Sequence, residues 1–344
     1  MSSSDLSIVI PIFNRGEVIR YTFESVRRAS AGLVVETIVI DDGSAVPVAE
    51  TMNRLGLAAT RVIRQENRGL LFARLTGLAA ATGRHILFLD SDDLITPDKL
   101  SAQVSAMDRD DADVSYTDTA RAVLACDYDH LEITHDPPLR ATTDAAEFFI
   151  DVQPAPHSPV FRRSYLEEIV RRACFPPSPL YNPVAEIWFY HVAAPRPARV
   201  VYVPGPHAII GQHPDARLTN HWERLAVASL AVMEAFARSC PTDTSISRSA
   251  RRLVGEKAFR SWRALPWDFS PEFGGRLLAV WRQLAAPSAT AALGGRTFQF
   301  ASRFVAPVAA GRLFRRWQNA SYATCRTLTD AEIAPLLAAL PPQQ

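Results

Sequence analysis

"HILFLDSDD", residues 85–93, decides how this chain is read. A mostly apolar run leads straight into Asp90, Asp92 and Asp93. A short apolar run bounded by turn residues reads as a buried strand, so the negative cluster stands at a strand's carboxyl end. Two readings are open. Either Asp92 or Asp93 caps a helix starting near Pro97, or the cluster holds something positive.

Working outward, the same alternation repeats. "LSIVI" (6–10) reads as a strand stopped by Pro11, and 17–29 has helical spacing. "ETIVI" (36–40) is a second strand, 46–56 a helix, and 60–65 a third strand. An alanine-rich helix over 70–83 is closed by Gly83. Short apolar strands separated by helix-length segments predict an α/β fold: a Rossmann-like, mostly parallel sheet with helices on both faces. Ligands of such sheets sit beyond the strands' carboxyl ends. "PIFNR" (11–15), "DDGS" (41–44) and "DSDD" (90–93) each follow a strand, so all three land on one edge.

Further along, 111–118 and 198–203 read as strands, a helix begins near Val184, and 211–220 is a loop. From 221 onward the spacing is helical, with no internal repeat. The expected division is 1–220 for the α/β domain and 221–344 for a basic, aromatic-rich helical region.

Composition narrows the classes. With 48% apolar and 21% charged residues the chain is globular rather than disordered. Its four cysteines form no CxxC pair, which argues against a zinc knuckle or disulfide scaffold and fits a reducing compartment. The start lacks the basic stretch and apolar run of a signal peptide. No 18-residue uncharged apolar segment occurs, so no membrane span is expected. The net charge of +1 conceals a split: residues 248–316 hold 13 Lys or Arg against three acids. Such asymmetry is a statement about partners.

Three carboxylates so close repel one another, and a divalent cation removes that cost. Oxygen ligands suit Mg²⁺ or Mn²⁺, which bind one or two carboxylates plus substrate phosphates. Asp41 and Asp42 end another strand; one serves as an acceptor for a base or ribose, or the pair forms an Asx-type turn into Gly43. Asn67, Arg68 and Gly69 form another strand-end loop, and Arg74 on the next helix could face the same ligand, where arginine suits a diphosphate. There is no GxGxxG, P-loop or GxSxG motif.

Together, "SIVIPIFNR", "TIVIDDGS", "ENRGLLFARLTGLAAATGRHILFLDSDD" and "SPVFRRSYLEE" resemble the family 2 glycosyltransferases, with the GT-A fold, over roughly residues 5–215. The resemblance implies a nucleoside-diphosphate sugar donor, a divalent metal (Mn²⁺ or Mg²⁺) and usually inversion at the anomeric carbon. It also implies that Pro11, Phe13 and Arg15 shape the nucleotide pocket, with Asn67 and Arg74 nearby. Asp41 or Asp42 would address the base, Asp90 with its neighbour Ser91 the ribose, and Asp92 the metal. His213 resembles a late histidine placed near the diphosphate or metal. Two positions depart from the family. Leu75 replaces an Asn, and Glu186 is followed by Ile187 where the family has a Glu-Asp pair whose Asp is the proton acceptor. Glu186 is then either the base or a helix N-terminal acid favoured by the dipole. Trp188, Phe189 and Tyr190 stack on a sugar or fill the core.

The C-terminal arginines are spread among Trp262, Trp267, Trp281, Phe298, Phe304, Phe314 and Trp317. Basic amphipathic helices of this kind lie on anionic membrane surfaces; the plainer reading is a helical subdomain with a solvated arginine face. Membrane proximity suits a glycan or lipid-linked glycan acceptor and a cytoplasmic, peripheral location. No nucleic-acid reader motif accompanies the charge, so no specific nucleic acid is expected. Two function classes follow: a metal-dependent glycosyltransferase, or a weakly active or non-catalytic nucleotide-sugar module with a degenerate base position. Donor base, acceptor and oligomeric state are not written in the motifs.

Overall fold

The computed structural model describes residues 4–214 and 220–342. Its strands are β1 (Leu6–Ile12), β2 (Val35–Asp41), β3 (Arg61–Arg64), β4 (His85–Phe88), β5 (Leu94–Ile95), β6 (Val114–Val123), β7 (Ile133–His135), β8 (Val160–Arg162) and β9 (Val200–Gln212). They form one sheet in the order β3-β2-β1-β4-β8-β6-β9-β5, with β7 paired to β6. The pairs joining β3, β2, β1 and β4 are parallel, as is β6 with β9. β8 joins the two parallel groups by antiparallel pairing.

Helices α1 (Ile19–Ala29), α2 (Val48–Leu55), α3 (Leu70–Ala80) and α4 (Lys99–Asp110) follow β1, β2, β3 and β5. Alternation along β1 decides their sides. Leu6, Ile8, Ile10 and Ile12 share a buried cluster with Phe23 of α1, Met52 of α2 and Val104 of α4. Val9, of opposite parity, meets α3 at Gly77, where an added Cβ would lie 2.1 Å from a Val9 methyl. The sheet therefore has helices on both faces.

Several local expectations are corrected. Pro11 does not stop β1, which runs on to Ile12 and pairs Pro11 with Ile40. The Ile12 carbonyl accepts from Asp42 and the Val9 carbonyl from Leu89, so alternation turns Pro11 toward the β4 side. There the ladder has already ended at Val9, and the missing N–H costs nothing. Gly83 does not close α3, which ends at Ala80; Gly83 lies against the backbone of Leu6 and Ser7 instead. Neither Asp92 nor Asp93 caps α4, whose N-cap is Asp98. β9 continues to Gln212 and takes the first two residues of the expected 211–220 loop; 213, 214 and 220 are non-strand, and 215–219 lie outside the described residues.

The chain divides into two compact units, Met1–Phe148, Val152–Ala173 and Pro197–Asp215, and Phe149–Asp151, Cys174–Arg196 and Ala216–Gln344. The second unit thus takes residues 174–196 as well as the C-terminal helices. Its long helices Trp222–Ser239, Ser245–Ala264 and Pro271–Leu284 bury Phe236, Phe259, Trp262 and Trp281. The Phe259 ring lies 4.8 Å from that of Trp281 and 5.3 Å from that of Trp262. Glu234 and Arg276 pair bidentately inside this unit, at 2.7 and 2.6 Å. Trp188, Phe189 and Tyr190, on the helix Ala185–Ala193, are all three buried core residues. Among the described residues, no helix is long and apolar enough to cross a membrane.

Candidate active site

Parallel β1, β2 and β4 end together, and the loops that leave them are stitched by hydrogen bonds. The Asn14 amide donates to Ser44 Oγ at 3.0 Å, and the Ala45 amide donates to Asn14 Oδ1 at 2.8 Å. Asp42 holds the next loop: Oδ1 accepts from Gln65 Nε2 (2.7 Å) and the Arg68 amide (3.0 Å), and Oδ2 from the Gly69 amide (2.8 Å). Gly43 makes this approach possible. Its φ is +79°, and a Cβ there would meet the Asn67 amide nitrogen at 2.7 Å.

Asp41 is turned to a different task. Its Oδ1 accepts from the Ser44 amide at 2.9 Å; its Oδ2 accepts from the Val48 amide at 3.1 Å and from Arg64 Nη1 at 2.8 Å. It is 1% exposed and ties the turn to the start of α2. The Asx-turn reading therefore describes Asp41.

The acidic turn after β4 is equally organised. Asp90 Oδ1 accepts from Arg74 Nη2 at 2.7 Å, with Arg74 buried and the Asp90 side chain 26% exposed. Asp92 Oδ2 is 3.0 Å from Arg15 Nη2 and 2.9 Å from His213 Nε2. Asp93 Oδ1 accepts from the Gly211 amide at 3.0 Å, and His157 Nδ1 lies 3.0 Å from its Oδ2. Thr22 Oγ1 also donates to the Asp93 carbonyl. The aspartates are thus sorted: Asp93 faces the fold, Asp90 is the open one, and Asp92 sits between an arginine and a histidine.

The sequence placed Pro11, Phe13, Arg15, Asp41, Asp42, Asn67, Arg74, Asp90, Ser91, Asp92 and His213 together. Ten of these belong to the loops just described or the elements beside them, with Phe13 and Asn67 exposed and Pro11 and Ser91 buried. His213, from beyond the end of β9, joins them through Asp92. Glu186 belongs to the second compact unit, half-buried in the first turn of the helix Ala185–Ala193.

Three supporting residues were not singled out in the sequence. Gly211 is one: a Cβ there would fall 1.9 Å from the Asp92 carbonyl oxygen, so β9 can reach the acidic turn only with glycine. Its position two residues before His213 was the available signal. His157, fully buried against Asp93, is another. The third is Lys99, whose Nζ donates to Gln103 and to the Ser158 carbonyl; burial pushes its amine well below the usual lysine range.

The donor set at Asp92 fits a divalent ion. His213 Nε2 and Asp92 Oδ2 are 2.9 Å apart. Adjacent ligands of an octahedral ion at about 2.1 Å take nearly that separation. One carboxylate, one imidazole and substrate phosphates suit Mn²⁺ or Mg²⁺. Among the described residues no group of three or more His, Cys, Asp or Glu is placed for a metal. A cleft of about 590 Å³ opens beside Arg15, walled by Asn14, Gly16, Val46, Glu50 and Arg54; the aspartates do not line it.

Residues 7–170 match the family described as "Glycosyl transferase family 2". The succinoglycan biosynthesis protein ExoO of Rhizobium meliloti is 34% identical over 112 residues, which are 32% of this chain and 32% of that protein. The chain thus spans about a third of the length of that curated relative. Among solved structures, S. aureus TarS 1–349 in complex with UDP-GlcNAc superposes with a TM-score of 0.63 at 14% identity, covering 91% of this chain and 90% of that one. A mannosyltransferase from Pyrobaculum calidifontis in complex with GDP-Man and Mn²⁺ gives 0.52 at 16% identity, covering 92% and 88%. At these identities the likeness is one of fold, the GT-A type.

Proposed function

We propose, from the premise that this chain belongs to the family 2 glycosyltransferases, that it moves a sugar from a nucleoside-diphosphate donor to a hydroxyl of a glycan or lipid-linked glycan. The observation that carries the reading is the meeting of three segments at Asp92: its own turn after β4, Arg15 after β1 and His213 after β9. The names of the curated relative and the two solved structures support a sugar nucleotide and a role in polysaccharide assembly.

In this reading Asp92 and His213 would hold Mn²⁺ or Mg²⁺. A bound ion there would neutralise charge developing on the departing diphosphate, a transition-state effect. Asp90, the exposed carboxylate, takes the ribose hydroxyls beside Ser91, with Arg74 fixing its orientation. Asp42 or Asp41, with Pro11, Phe13 and Asn67, forms the base pocket. Asp42 is favoured, because its hydrogen bonds go to the loop that carries Asn67, whereas Asp41 is tied to α2 and Arg64.

Arg15 acquires a specific part. Its Nη2 contacts the Asp92 oxygen that an ion would use, so arginine and ion compete for Oδ2. Arg15 would then give up Oδ2 to an ion when a diphosphate offers the guanidinium a new anionic partner.

Glu186 takes the proton of the acceptor hydroxyl. The acceptor oxygen bonds to the anomeric carbon as the carbon–oxygen bond to the diphosphate breaks, with inversion. Base assistance of this kind is worth about 10²–10⁴-fold. Glu186→Gln is expected to lower transfer by that factor while nucleotide affinity stays within about twofold. Unchanged transfer would remove Glu186 from the mechanism. Ile187, standing where the family's aspartate is expected, favours a second reading: a module that binds donor with little or no turnover. Wild-type protein that binds nucleotide but transfers no sugar would establish it. The basic C-terminal helices support a peripheral location on the cytoplasmic face of a membrane, beside a lipid-linked acceptor.

A further inference from the structure

The second compact unit sorts its aromatic residues into two groups. Trp262, Trp281 and Phe298 are buried. Phe300, Phe304, Val305, Leu313 and Trp317 are not, at 61, 74, 47, 68 and 77% exposed. All five lie on two consecutive helices, Arg296–Ala301 and Pro307–Gln318, and the turn between them. A helix of a water-soluble unit normally turns its apolar side inward.

The helix Pro307–Gln318 is inverted in part. Its buried positions are Ala310, Gly311 and Arg315, and the Arg315 guanidinium bonds the carbonyls of Leu265 and Pro266. Its outer positions 312, 313, 316 and 317, at the spacing of one helical face, are Arg, Leu, Arg and Trp. Before it, the ring of Phe300, on the preceding helix, and that of Phe304, in the turn, meet edge to face, 5.2 Å apart. Large apolar groups gathered in water mark an interaction surface.

Charge selects the partner. Arg296, Arg303, Arg312 and Arg316 are all exposed. Among the described residues no acid lies within ion-pair distance of them, and the sequence holds none between Glu272 and Asp330. Arg316 instead lies over the Trp267 ring at 5.1 Å. Arginine beside exposed tryptophan and phenylalanine is what an anionic lipid surface receives: rings enter the headgroup boundary while guanidinium groups meet phosphates.

We propose that the outer face formed by Phe300, Phe304, Val305, Leu313 and Trp317, with Arg303, Arg312 and Arg316 around it, docks the protein on an anionic bilayer. This narrows the broad basic region 248–317 to residues 300–317. It rests on the peripheral placement proposed above and not on the sugar chemistry. A protein partner, including a second copy of this chain, is the competing occupant.

The test is flotation of the full chain with phosphatidylcholine vesicles, with and without phosphatidylglycerol. Wild type is expected to float with the anionic vesicles only. Phe304→Ser combined with Trp317→Ser should weaken that binding at least about tenfold. Arg312→Gln combined with Arg316→Gln should abolish the preference for phosphatidylglycerol. Nucleoside-diphosphate affinity, measured on the same preparations, reports that each variant is folded. Three results would overturn the proposal: wild type that ignores anionic vesicles, a Phe304/Trp317 variant that still binds them, or a wild-type dimer that this variant splits. Lost vesicle binding with intact nucleotide binding concerns this face alone, and absent nucleotide binding in wild type concerns the sugar reading alone.

Discussion

Arginine does opposite work at the strand ends of the α/β unit and on the outer face of the helical unit. In the α/β unit, Arg15, Arg64 and Arg74 each end on an aspartate of a strand-end loop, at 3.0, 2.8 and 2.7 Å. In the helical unit, Arg296, Arg303, Arg312 and Arg316 stand on the surface among exposed rings, with no acid beside them among the described residues. Paired arginines in a cleft edge hold carboxylates in fixed orientations before any ligand comes. Unpaired arginines cost nothing in water and keep their charge for a partner. The same side chain is architecture in one place and contact surface in the other, and its neighbours decide which.

That contrast can be attacked directly, beginning where the effect is largest. Arg74→Met removes the buried partner of Asp90, and breaking such a pair costs about 3 kcal/mol; because Asp90 is partly open to water, somewhat less is expected from urea unfolding. Arg312→Gln and Arg316→Gln, by contrast, should each stay within about 0.5 kcal/mol of wild type. Equal losses at both places would erase the distinction. Smaller but more pointed is Arg15→Gln. It frees Asp92 Oδ2 from its resident cation, so Mn²⁺ alone, followed by paramagnetic resonance without nucleotide, should bind about three- to tenfold more tightly. Unaltered Mn²⁺ affinity would mean that Arg15 and the ion do not share that oxygen.

Much of the α/β unit was legible in the sequence because each strand is a short apolar run and each ends in a turn residue. The convergence of "PIFNR", "DDGS" and "DSDD" on one edge followed from parallel topology alone. What escaped was pairing at long range. That Asp93 would accept from the Gly211 amide and lie against buried His157, 118 and 64 residues away, leaves no local trace, so three neighbouring aspartates looked alike. Asp41 and Asp42 looked interchangeable for the same reason; only Arg64 and the Val48 amide set Asp41 apart. Pro11 was read as a terminator because proline lacks a donor, but its nitrogen faces a side where nothing needs one.

The helical unit was read least well in its sidedness. Trp262 and Trp317 carry the same ring and lie in similar basic surroundings in sequence, yet one is 3% and the other 77% exposed. The spacing from 221 onward reads as helical throughout; the structure breaks the helix before Pro307, and that break creates the exposed turn. Composition could show that the region was basic and aromatic, but not which rings it would present.

The central claim, that the acidic turn after β4 awaits a metal and a diphosphate, is tested most directly by calorimetry. Wild type and Asp92→Asn would be titrated with UDP, GDP, dTDP and CDP, each with and without Mn²⁺. One preferred nucleotide is expected, bound at least about tenfold more tightly with Mn²⁺, with loss of that enhancement in Asp92→Asn. Binding of none of the four, or an Asp92→Asn protein that responds to Mn²⁺ as wild type does, would contradict it.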